Sequence, residues 1–214
     1  MMRYAIFVAL AAACALCAAC ADPAADVAKA TTGPPARAAL PRGSADESVP
    51  VTPENSRIEF VGSKVTGSEG GRFEKFSGAI HLVGESPERS RVEVEIEMGS
   101  VVTDSEGLAE HLKSADFFDV ARHPKAGFAS TEIKPGGAGG ATHTVAGELE
   151  LHGVKKSVTF PASIEVSREA VSVRAEFAIN RKEFGILYAG RADDLIRDEV
   201  VLKLSLRAGR RPAA

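Results

Sequence analysis

Tryptophan is absent from this 214-residue chain and tyrosine occurs only twice, so few rings are available to stack nucleic-acid bases. Neither sign of charge dominates. The formal net charge of −3 offers no basic footprint for a polyanion. All three cysteines, Cys14, Cys17 and Cys20, lie at the N-terminal end, so whatever folds beyond them has no disulfide and no thiolate metal site. Gly-x-Ser-x-Gly is missing, and no glycine-rich phosphate loop leads from a strand into a helix. These absences argue against a nucleic-acid partner, a disulfide scaffold and the familiar hydrolase and nucleotide-binding classes. No nucleophile or phosphate-binding motif marks the chain as an enzyme.

What is present begins with Met1–Cys20, where Arg3 precedes an apolar run that ends in small residues. That is the architecture of a secretory signal, and it is too short to span a bilayer stably. Two endings fit it. Cys17-Ala18-Ala19-Cys20 reads as a lipobox, with Cys20 the lipidated first residue of the mature protein; ordinary cleavage after an Ala-x-Ala-like site near residues 18–21 is the alternative. Residues 21–53 then hold six of the eleven prolines and no aromatic residue, which predicts a disordered Ala/Pro-rich tether between anchor and domain.

From Ser56 the pattern turns to strands. In 91–98, Val92, Val94, Ile96 and Met98 alternate with Arg91, Glu93, Glu95 and Glu97, so one face is dry and the other wet. The same alternation recurs in Val145/Leu149/Leu151, Val158/Phe160, Val171/Val173/Phe177/Ile179 and Val200/Leu202/Leu204. Phe73 and Phe76, three apart, predict a bulge near Lys75. Pro161 predicts a bend or an edge. About eight strands result, the number of a small antiparallel barrel. One helix interrupts them: Thr103 and Glu106 have the spacing of a capping box, and Leu108, Leu112 and Ala115 follow at helical intervals. With Phe117 and Phe118 this helix is placed to plug one barrel mouth. Residues 209–214 read as a disordered tail.

The polar residues give little chemistry. His81, His111, His123, His143 and His152 show no ligand-pair spacing and read as surface or hydrogen-bonded histidines; no metal is expected. His143 shares parity with Val145 and Leu149 and so faces the interior. The Gly67–Gly71 and Gly136–Gly140 clusters read as hairpin turns. Asp193, Asp194 and Asp198 lie near Arg191 and Arg197 and read as a solvated, ion-paired loop.

Three segments, GSKVTGSEGGRFEKFSGAIHL at 62–82, GELELHGVKKSVTF at 147–160 and NRKEFGI at 180–186, resemble at matching places the YceI-like family of exported bacterial proteins. The resemblance spans roughly residues 54–208. It implies an exported lipocalin-like barrel enclosing a polyisoprenoid or other long-chain lipid, with no cofactor besides such a lipid; together with the lipobox this places the protein in the periplasm, tethered to the outer membrane by an N-terminal lipid anchor. On that reading Phe60, Phe73, Phe76, Met98, Phe128, Phe160, Phe177 and Phe184 line the cavity. Arg181 and Asp198, at positions the family marks, form a polar rim that pairs across the mouth or holds a ligand's head. Glu69 stands where several relatives carry a histidine, which removes any metal or haem role resting on it. A filled barrel serving as an envelope stress or protein-interaction module, and an enzyme acting on such a lipid, remain the rivals. The oligomeric state, a dimer included, is open.

Overall fold

The structure, a computed structural model, describes residues 22–35 and 47–210. The signal segment, Cys20 and residues 211–214 lie outside the described residues. The strands are β1 (Thr31–Gly33), β2 (Glu47–Val51), β3 (Arg57–Ser63), β4 (Ser68–Phe73), β5 (Phe76–Val83), β6 (Ser86–Glu97), β7 (Val101–Thr103), β8 (Lys125–Pro135), β9 (His143–Leu151), β10 (Val154–Val166), β11 (Ala170–Asn180), β12 (Gly190–Arg191), β13 (Asp194–Leu195) and β14 (Glu199–Gly209). The helix α1 (Glu106–Lys113) lies between β7 and β8.

Twelve of these strands form one antiparallel sheet in the order β2-β5-β6-β8-β9-β10-β11-β14-β3-β4-β7, with β1 joined to β10; β12 and β13 pair separately. Only two residues, Glu74 and Lys75, separate β4 from β5, so both ends of this path meet in one ribbon and the sheet curls on itself. The segments outnumber the eight strands expected because the ribbons break at defined places. One break is at Glu74–Lys75, near the predicted bulge, where Ser100 Oγ accepts a hydrogen bond from Lys75 N. Another is the 3-10 turn Met98–Ser100.

Alternation decides which face is inside. In β14, Leu202, Leu204 and Leu206 point inward while Lys203, Ser205 and Arg207 are exposed. Glycines let the aromatic residues lie flat on this wall. A Cβ at Gly71 would sit 2.3 Å from the Phe60 ring, and one at Gly147 2.3 Å from the Phe128 ring. Glycine is therefore required where a ring crosses the neighbouring backbone.

Pro161 has a clear structural consequence. It pairs with Thr144 on β9, but on its other edge the β10–β11 ladder starts only at Ser163. Proline has no N–H to donate there. Beyond it β10 and β11 part, and β1 fills the gap, pairing Thr31–Gly33 with Ser157–Thr159 while Ala178 N donates to Ala28 O and Ala30 N to Ala178 O.

That insertion corrects the expected tether. Within residues 21–53 the described parts are built into the sheet: Ala24 packs with Ala178 and Val201 on the outer face, and β2 pairs with β5. Val49 and Val51 are 1% and 0% exposed. A proline-rich segment contributes few side chains to a core, but its backbone can still supply ladder bonds, which composition does not register. Gly209 and Arg210, expected in the tail, belong to the fold, since β14 reaches Gly209 and Arg210 Nε donates to Glu47 Oε2 at 2.8 Å.

The helix also starts differently. Ser105, not Thr103, is its N-cap and makes no side-chain capping bond, while Thr103 Oγ1 donates to Ser105 O. The turn after α1 brings Phe118 against Phe60 and Phe73, at centroid distances of 6.3 and 5.9 Å.

Candidate functional site

An apolar cavity of about 230 Å³ runs inside the curled sheet, and its exposed wall carries no polar surface. Opposed strands supply it: Ile58 and Phe60 from β3, Val92, Val94 and Ile96 from β6, Val173 and Phe177 from β11, Leu202 and Leu204 from β14. Several of these inward residues, among them Val94, Leu149, Val173, Leu202 and Leu204, remain only half-buried although their neighbours in sequence point to solvent. Their residual exposure is toward the cavity. Leu112, Phe117 and Phe118 line it from the helical segment, and Ile186 and Ile196 from the 181–198 loop.

Of the aromatic and Met residues expected on this wall, Phe60, Phe73, Met98, Phe128, Phe160 and Phe177 are there. Phe76 and Phe184 are not. Phe76 follows the ribbon break and packs into the main core cluster, and Phe184, fully buried in the 3-10 turn Arg181–Phe184, packs behind the wall. Aliphatic side chains supply more of the lining than aromatic rings do, and side-chain size alone does not mark them in the sequence.

Arg181 and Asp198 are brought together, but the guanidinium is engaged elsewhere. Its Nε donates to Arg197 O at 3.0 Å, Nη1 to Ile186 O at 2.7 Å and Nη2 to Ile196 O at 3.2 Å, with Asp198 Oδ1 at 3.8 Å. Burial pulls the Arg181 guanidinium below its ordinary value, and Asp198 opposes the shift. A buried charge needs this set of partners. In this arrangement Arg181 ties the loop across the end of the sheet, with each of its three nitrogens donating to a backbone carbonyl. Asp198 makes its shorter contact with Lys182, at 2.9 Å.

His143 is buried, as its parity suggested, with Thr142 Oγ1 at 2.8 Å from Nδ1 and Glu88 Oε1 at 3.4 Å from Nε2. Asp193 pairs with Arg191 in the open, and Asp194 pairs with Lys64 at 3.2 Å. His123 and His152, unremarkable in the sequence, meet at a centroid distance of 4.8 Å.

Comparison with known proteins agrees with this architecture. The YceI-like domain model matches residues 50–208. A UPF0312 protein of Pseudomonas putida (strain W619) is 34% identical over 122 residues, 54% of this chain; the match covers 62% of that relative, so the chain spans under two thirds of its length. Among solved structures, Burkholderia cenocepacia BcnA shares 24% identity at a TM-score of 0.65, over 74% of this chain and 99% of that one. A polyisoprenoid binding domain from Saccharophagus degradans, implicated in plant cell wall breakdown, shares 18% at 0.60, over 77% and 100%. At these identities the two structures speak to fold alone.

Proposed function

The chain belongs to the YceI-like domain family, and we propose that it is an exported carrier that encloses a long apolar lipid, of the polyisoprenoid kind, inside its curled sheet. The observation that carries this reading is the set of inward aliphatic side chains left half-buried around an apolar cavity. A core that filled itself would cover them. The antiparallel sheet curls around this cavity, as in a small barrel that holds one ligand.

Magnitudes support an apolar guest. The cavity of about 230 Å³ exceeds the roughly 150 Å³ that admits benzene in an engineered core, and falls below the roughly 300–1,000 Å³ of drug-sized pockets. It takes a short length of chain as it stands, and a longer lipid requires the half-buried wall residues to turn aside. Each buried CH₂ contributes about 0.8 kcal/mol, so affinity needs no polar contact.

Export and anchoring through Cys20 belong to the same proposal. Asp22 Oδ2 lies 3.4 Å from Arg197 Nη1, at the end of the sheet that also exposes Val65, Leu187 and Leu195. Two residues of chain reach at most about 7 Å. An acyl group on Cys20 would hold this apolar end against the membrane, from which a lipid ligand comes. Native mass spectrometry of protein purified from its own host tests the proposal. A co-purifying long-chain lipid is expected at up to one per chain, and protein that is uniformly ligand-free would favour the filled interaction module.

A further inference from the structure

Asp119, His123 and His152 come from two separate segments, and their metal-capable atoms all lie within 4.8 Å of one another. Asp119 and His123 follow the cavity-lining Phe117-Phe118 pair, whereas His152 is in the β9–β10 hairpin. Three features single out this cluster. Asp119 and His152 are the only non-glycine residues with positive φ among those described, at 46° and 52°. Such backbone is uncommon for residues with a side chain and marks places the surrounding structure over-determines. Gly153 makes the approach of His123 feasible, because a Cβ there would sit 2.5 Å from His123 Cε1 and 2.7 Å from Nδ1.

The third feature is chemical. His152 Nδ1 lies 3.1 Å from Phe184 O, and a carbonyl can only accept, so Nδ1 carries the proton. The Nε2 lone pair is therefore free. Metal-binding imidazoles are characteristically oriented in this way, with the second nitrogen donating to a carbonyl. Neither ring nitrogen of His123 has a hydrogen-bond partner among the described residues, and Asp119, buried at 8% exposure, is paired only with Arg122 at 3.4 Å. Arg122 is 78% exposed and free to swing away.

We propose that Asp119, His123 and His152 form a binding site for a divalent cation of the zinc class. Two imidazoles and one carboxylate suit such an ion, with a fourth position left for water. A bound ion would pin the helical segment that covers the cavity to the β9–β10 hairpin. The inference does not depend on whether the cavity holds a lipid.

The test is calorimetric titration of the tag-free mature protein with ZnCl₂, alongside its absorption spectrum with Co²⁺. Wild type is expected to bind one ion per chain, with a tetrahedral Co²⁺ spectrum and a higher melting temperature in Zn²⁺. Asp119→Asn, His123→Asn and His152→Ala should each weaken binding by at least the 10–100-fold that loss of a mere outer-shell partner costs. His111→Asn, whose side chain is exposed and outside the cluster, should bind as wild type does. Should His152→Ala fail to fold, the other two variants carry the test. No uptake by wild type, or unchanged uptake by the Asp119 and His123 variants, overturns the proposal.

Discussion

Phe160 and Phe177 stack face to face, with centroids 4.0 Å apart and planes within 9°, behind the point where β10 and β11 separate around β1. No β10–β11 ladder bonds join the strands there, so the rings bridge the inner wall of the gap while the N-terminal segment closes it outside. Phe128 extends the aromatic surface at 5.6 Å from Phe160.

Phe160→Ala should cost about 3–5 kcal/mol in the ligand-free protein, since the ring is buried and its loss leaves a void. The double cycle with Phe177→Ala should return a coupling of about 0.5–1.5 kcal/mol for the aromatic pair. Denaturant unfolding of the four proteins measures both. A coupling near zero would mean the rings are neighbours without interacting.

The N-terminal segment should matter to stability. A chain beginning at Pro53 loses β2, where Val49 and Val51 are fully buried; burying each contributes about 1.5–3 kcal/mol. Its melting temperature should drop by at least about 6 °C. A chain beginning at Ala36 keeps β2 and should fall by less. Melting of the Pro53 chain within a degree or two of full length would show that these contacts are energetically idle.

The strands were legible where a wet and a dry face alternate, as in Val92–Met98, because period 2 writes burial directly into the sequence. The insertion of β1 and the docking of Ala24 were not. They rest on backbone bonds and on small side chains that carry no amphipathic signal. Phe76 and Phe184 show another limit: at a ribbon break or in a 3-10 turn, parity no longer tells which way a ring points. His123 and His152 lie far apart in sequence and meet only because the hairpin and the covering segment meet.

His81 should impose a pH dependence. Burial, and then Arg91 beside it, hold His81 below the ordinary value of 6.5, and Glu93 opposes the shift only in part. The unfolded chain therefore takes up this proton first as pH falls. Its contribution is fully favourable above the unfolded value and is lost as pH drops through 6.5 and below the folded value. His81→Gln should lessen the loss of stability between about pH 7.5 and about pH 5.5 relative to wild type. Parallel denaturant curves at both pH values check this, and equal losses in the two proteins would contradict it.

The central claim is that the sheet encloses usable space, and it is most directly tested by titrating a fluorescent long-chain isoprenoid into wild type and Val173→Trp. Val173 lines the cavity and is half-buried, so an indole there enters the space the ligand needs. Wild type should bind saturably at one per chain, and the variant at least about tenfold more weakly, which is about 1.4 kcal/mol, while melting within a few degrees of wild type. If wild type binds no long-chain lipid, the interior is a packed core; if the variant binds as well as wild type, the lipid sits outside this cavity; either result contradicts the carrier account.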